Sequence, residues 1–163
     1  MANLCSFSMI LKGEKADIDK FKNMMKQTGN VWMGRGAEIS NEETEETENG
    51  KYRCQIDGYT KWSVQSSLID NAISMRTEPD KWFFGDDEDK SRLTFVTMLE
   101  ACEQLNLDME VYSEEPGCGF QEHYVFADKV LVVNESVDYT EEYDEEADEW
   151  VSEGGFENWT FEI

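Results

Sequence analysis

The chain has 163 residues, 39% of them hydrophobic, with nine Phe, six Tyr and five Trp. That aromatic content argues against a wholly disordered chain and suits one domain with a real core. Fourteen bases face 37 acids, a net charge of −23, which argues against direct binding of nucleic acid or anionic lipid and for a basic protein partner.

No apolar run approaches the roughly 18 residues of a membrane-crossing helix, and MANLCSFSMILKG lacks a basic front end and a cleavage site. The expected location is the cytoplasm of the cell that makes it, with no membrane contact. Cys5, Cys54, Cys102 and Cys118 form no close pair and the chain has one histidine, His123. Free thiols are expected, with no metal and no cofactor.

In chain order, residues 3–11 (NLCSFSMIL) read as a buried strand. Asp17 is placed to cap a helix from Ile18 to about Gln27, with Ile18, Phe21 and Met25 on one face and Gly29 ending it. VWMGRGAEI is strand-like but broken by Gly34 and Gly36. SNEETEETENG (40–50) reads as a mobile, acidic hairpin loop carrying Glu42, Glu43, Glu45 and Glu46. KYRCQIDGYTKWSV supplies one or two strands, with Tyr52, Cys54 and Ile56 alternating.

SSLIDNAISM (66–75) suggests a short helix, and EPDKWFFGDDEDKS a loop with a second acidic cluster, Asp86, Asp87, Glu88 and Asp89. A helix is expected from about Arg92 to Leu105, because Phe95, Leu99, Cys102 and Leu105 make one stripe. LDMEVYSE then alternates Leu107, Met109 and Val111 with acids, as a strand does. FQEHYVF and KVLVV predict a hairpin about Ala127 and Asp128. This pattern predicts an α+β fold of ferredoxin-like type, an antiparallel sheet with two main helices on one face.

Three stretches carry a resemblance: NLCSFSMILKG (3–13), GYTKWSV (58–64) and YSEEPGCGF (112–120). Together they resemble the YubB-type ferredoxin-like family of phage and plasmid proteins over residues 3–134. The resemblance implies a ferredoxin-like domain over 1–134 and a mobile-element origin, but no reaction. The acidic insertion at 40–50 and residues 135–163 have no counterpart in it.

Residues 135–163 hold twelve acids and no base, while the other 134 residues hold 25 acids and 14 bases. Within this extension, VDYTEEYDEEADEW (137–150) spaces Tyr139, Tyr143, Ala147 and Trp150 by 4, 4 and 3. That spacing predicts at least partial helix over 137–151. Phe156, Trp159 and Phe161 are expected to dock the last residues, 156–163, on the sheet of the same domain.

Candidate chemistry is sparse. In EEPGCGF, Glu114, Glu115 and Cys118 are adjacent, but carboxylates raise a thiol's pKa rather than activating it. The preferred reading there is a bulged strand connection. A calcium loop begun at Asp144 fails, because its sixth and twelfth positions are Glu149 and Gly155. Lys61 and Trp62 are too little base to hold nucleic acid against −23, and such a tryptophan belongs more often to a core.

The acidic segments therefore carry the functional expectation. It is a non-catalytic phage or mobile-element protein that occupies the basic nucleic-acid-binding surface of a host defence protein, for example a CRISPR-associated nuclease. The partner-binding residues would be Asp138, Glu141, Glu142, Asp144, Glu145, Glu146, Asp148 and Glu149, anchored by Tyr139, Tyr143 and Trp150. The clusters at 42–46 and 86–89 come second. An acidic assembly module with no nucleic-acid competitor, and an enzyme built on EEPGCGF, are the alternatives.

Overall fold

The computed structural model describes residues 3–70 and 93–163. In chain order these form β1 (Leu4–Gly13), α1 (Lys15–Met25), β2 (Val31–Met33), β3 (Ala37–Glu46) and β4 (Tyr52–Lys61). A five-residue π-helical turn (Gln65–Ile69) follows. Then come β5 (Thr94–Val96), α2 (Met98–Leu105), β6 (Asp108–Glu115), β7 (Phe120–Ala127), β8 (Val130–Asp144) and β9 (Glu149–Gly154).

The fold is not ferredoxin-like. Seven strands form one curled sheet in the order β3-β4-β1-β6-β7-β8-β9, and every pairing in it is antiparallel. Helix crossovers between neighbouring strands make them parallel, whereas here β1 lies antiparallel to both neighbours, β4 and β6. The only parallel pair among the described residues, β2 with β5, stands apart as a second, two-stranded sheet.

Two misread segments account for much of the extra sheet. Residues 37–46, expected as a mobile loop from 40 onward, form the ordered edge strand β3, closed onto β4 by the turn after Glu46. Residues 137–151, expected as helix, form the end of β8, a turn and the start of β9. A helix there would stack Glu141 on Glu145, Glu142 on Glu146 and Asp144 on Asp148, each a destabilising like-charge pair at i,i+4. In the hairpin, Tyr143 and Trp150, seven residues apart, meet as cross-strand partners. The spacing that suggested a helical stripe is produced by a turn.

Smaller corrections follow the same logic. α1 starts at Lys15, with Asp17 inside its first turn rather than capping it. α2 starts at Met98 because the Thr97 hydroxyl accepts from the Glu100 amide; residues 94–96 before it join β5. Of the expected helix at 66–75, the part up to Ile69 is a π-helical turn begun at Gln65, Asp70 follows it, and 71–75 lie outside the described residues. The β7–β8 hairpin turns on Asp128 and Lys129, both at positive φ (49° and 64°), the two-residue geometry that matches strand twist.

Over β6 and β7 the sheet is covered on both faces. On one face Phe7, Met9, Leu11, Cys54, Ile56, Met109, Val111, Tyr124 and Phe126 pack against Ile18, Phe21 and Met25 of α1 and Met98, Ala101 and Cys102 of α2. On the other face, residues 156–163 return over β6 and β7. Tyr112 lies between His123 (ring centroids 3.9 Å apart) and Trp159 (5.8 Å), with Phe156 and Phe161 edge-on.

Candidate interaction surface

Two buried carboxylates hold these layers together. Glu110 is fully buried on the tail side. Its Oε1 lies 2.9 Å from His123 Nε2, and its Oε2 accepts from the amides of Glu162 (2.6 Å) and Ile163 (3.1 Å). Glu122 is buried on the helix side. It accepts from the amides of Val64 (2.8 Å) and Gln65 (3.1 Å) at the head of the π-helical turn, from Ser113 Oγ (2.6 Å) and from the Tyr124 hydroxyl (3.0 Å). Both were hidden in the sequence, because alternation with Met109 and Val111 assigns Glu110 to solvent. The one available signal was the aromatic run 156–161, which needed a surface to cover.

The EEPGCGF segment is the β6–β7 connection. The Glu115 carboxylate accepts from the amides of Gly117 (2.8 Å) and Cys118 (2.6 Å) and closes the turn on itself. The exposed Cys118 thiol is pushed up chiefly by its hydrogen bond with Glu115, the opposite of what a thiolate nucleophile needs. All four cysteines are free, and burial pushes Cys5 up to about 12. Among the described residues no group of His, Cys, Asp or Glu is arranged to hold a metal ion, and no helix is long and apolar enough to cross a membrane.

The expected partner-binding residues divide sharply. The hairpin from Tyr139 to Gly154 extends past the end of β7, and β9 pairs with β8 alone. Glu141, Glu142, Asp144, Glu145, Glu146, Asp148, Glu149 and Glu153 are all exposed on it, and none forms an ion pair with a described residue. Asp138, at its base, is exposed too. Eight carboxylates on a ribbon roughly 20 Å long are about one charge per 2.5 Å, close to the one per ~1.7 Å of duplex DNA.

Register sorts the ribbon into two faces. Thr140, Glu142 and Asp144 lie opposite Glu153, Val151 and Glu149, so four carboxylates share one side. Asp144 and Glu149 are directly opposed like charges, which cost stability in an isolated hairpin. Part of that cost is offset at the turn, where Asp144 Oδ1 accepts from the amides of Glu146 (2.9 Å) and Ala147 (3.2 Å). The other side carries Tyr139, Glu141 and Tyr143 opposite Gly154, Ser152 and Trp150.

Tyr139 is not the exposed anchor the sequence suggested. It is 5% exposed, and its hydroxyl is buried with no hydrogen-bond partner among the described residues. Burial first, then Glu114 and Glu141, push that hydroxyl up to about 12. It roots the hairpin in the sheet, where Gly119 comes so close to its carbonyl that an added Cβ would sit 2.6 Å away. Tyr143 and Trp150, by contrast, are 45% and 69% exposed.

The second-rank cluster at 42–46 does not join this surface. β3 lies at the opposite edge, with β4, β1, β6 and β7 between. There Glu42 pairs with Lys22 (3.2 Å) and Glu45 with Arg53 (3.7 Å), which neutralises part of the charge, while Glu43 and Glu46 are exposed. Asp86, Asp87, Glu88 and Asp89 lie outside the described residues. Trp62, expected in a core, is 43% exposed at positive φ. Comparison with protein-family models, curated proteins and solved structures found no match.

Proposed function

We propose that this protein acts without catalysis, by presenting the 139–154 hairpin to the basic nucleic-acid-binding surface of another protein. It would be a phage or mobile-element product working in the bacterial cytoplasm, and the partner a host defence protein such as a CRISPR-associated nuclease. The observation that carries the reading is the eight exposed carboxylates, none in an ion pair with a described residue, held on an ordered ribbon at a density close to that of nucleic acid. A pre-arranged charge array loses less entropy on binding than a floppy acidic tail, and like charges already forced together gain most when a cationic surface meets them.

The test is capture of host proteins on the immobilised chain, followed by displacement with duplex or single-stranded DNA at varied salt. Captured proteins are expected to be nucleic-acid binders released by DNA. The variant Glu142→Gln/Glu149→Gln/Glu153→Gln should lose most of the capture. Partners that bind no nucleic acid, or that DNA does not displace, would leave the acidic interaction module as the correct reading.

A further inference from the structure

We infer that the ring face of the hairpin is an arginine-binding surface, so that the partner presents a guanidinium to Tyr143 and Trp150 rather than lysine charge alone. The inference rests on the functional reading above, that the hairpin meets a basic partner, and narrows which basic side chain it meets.

A cross-strand aromatic pair stabilises a hairpin, and Tyr143 and Trp150 do pair, edge to face, with centroids 5.5 Å apart and planes at 62°. Pairing leaves much of both rings open: these are the two large exposed aromatic side chains of the hairpin. The Tyr143 hydroxyl donates to Asp148 Oδ1, which fixes the ring's attitude. Glu141 lies two residues before Tyr143 on the same face, roughly 7 Å along the strand.

An apolar partner is a poor match, because covering these rings would also strip water from Glu141 and Asp148 without replacing it. A cation answers both. Ammonium and guanidinium differ in what they do next: the guanidinium is flat, lies over a ring face, and still directs N–H groups sideways into a carboxylate, while ammonium is a strongly hydrated point charge. Rings flanked by carboxylates on one face of a rigid ribbon match the first. The opposite face, with Glu142, Asp144, Glu149 and Glu153 and no exposed ring, has no such preference.

The experiment titrates the full chain with deca-arginine and with deca-lysine at the same ionic strength. The arginine peptide is expected to bind about fivefold more tightly, the scale of one or two exposed cation–π contacts. In Tyr143→Val/Trp150→Ile, which keeps strand-favouring side chains but removes both rings, the preference should fall to parity while deca-lysine affinity stays within about twofold. The unchanged deca-lysine affinity reports that the hairpin still stands; if it falls, the test is repeated with Trp150→Phe, which must keep part of the preference. Equal binding of both peptides by the unaltered chain, or a preference that survives loss of the rings, overturns the inference and leaves the basic-partner reading intact. Failure of both peptides to bind overturns that reading itself.

Discussion

Replacing Glu110 by alanine should detach the C-terminal segment and cost about a third of the protein's stability. Its carboxylate is fully buried and serves three donors or partners: His123 Nε2 at 2.9 Å and the amides of Glu162 and Ile163 at 2.6 and 3.1 Å. Leaving a buried donor without its acceptor costs about 1–3 kcal/mol per group, so three partners that can partly relax cost about 3–5 kcal/mol together, against a total of roughly 5–15 kcal/mol for a domain. The cost has an upper limit, because residues 156–163 can lift away and give their amides to water; Phe156, Trp159 and Phe161 then lose their cover over Tyr112. Urea denaturation should report the loss, and the melting temperature should fall by about 10 °C at a few degrees per kcal/mol. Glu110→Gln keeps one acceptor oxygen for the two amides and should cost less, about 1–2 kcal/mol. Hydrogen exchange supplies the local readout: amides 156–163 lose protection in Glu110→Ala before the sheet does. A stability loss under about 1 kcal/mol with those amides still protected would refute the reasoning.

Two further substitutions probe the root of the hairpin and the β6–β7 turn. Tyr139→Phe removes a buried hydroxyl that has no partner among the described residues, so stability should rise or stay within about 1 kcal/mol; a larger loss in thermal melts would mean that the hydroxyl is satisfied. Burial acts to push the Glu115 carboxyl up, but its hydrogen bonds with Cys118 and Gly117 outweigh this and hold it below the ordinary value of 4.5. A depressed folded-state value makes the contribution complete above that pH and progressively lost as pH falls below it. Glu115→Gln should therefore flatten the acid limb of the stability–pH curve below about pH 4.5, and an unchanged limb would show that the turn does not depend on the charge.

Local reading of the chain succeeded where a segment's own pattern sets its environment. Ile18, Phe21 and Met25 on α1, the alternation of Leu107, Met109 and Val111 into β6, and the turn at Asp128 are each legible because apolar period and turn geometry are properties of neighbouring residues. The same reasoning failed at 40–50 and 137–151, where acidic residues concealed strand formation, and at Tyr139, whose neighbours in the chain are exposed while its own ring is buried.

The amino-acid sequence by itself determined the charge, its concentration after residue 135, and the aromatics interleaved with it. Only the tertiary structure decided which of these residues could act together. Register sends alternate side chains to opposite faces, so one hairpin became a carboxylate face and a ring face, while the same acids at 42–46 went to the far edge of the sheet. Strand pairing joins residues distant in sequence, and no local pattern contains that distance.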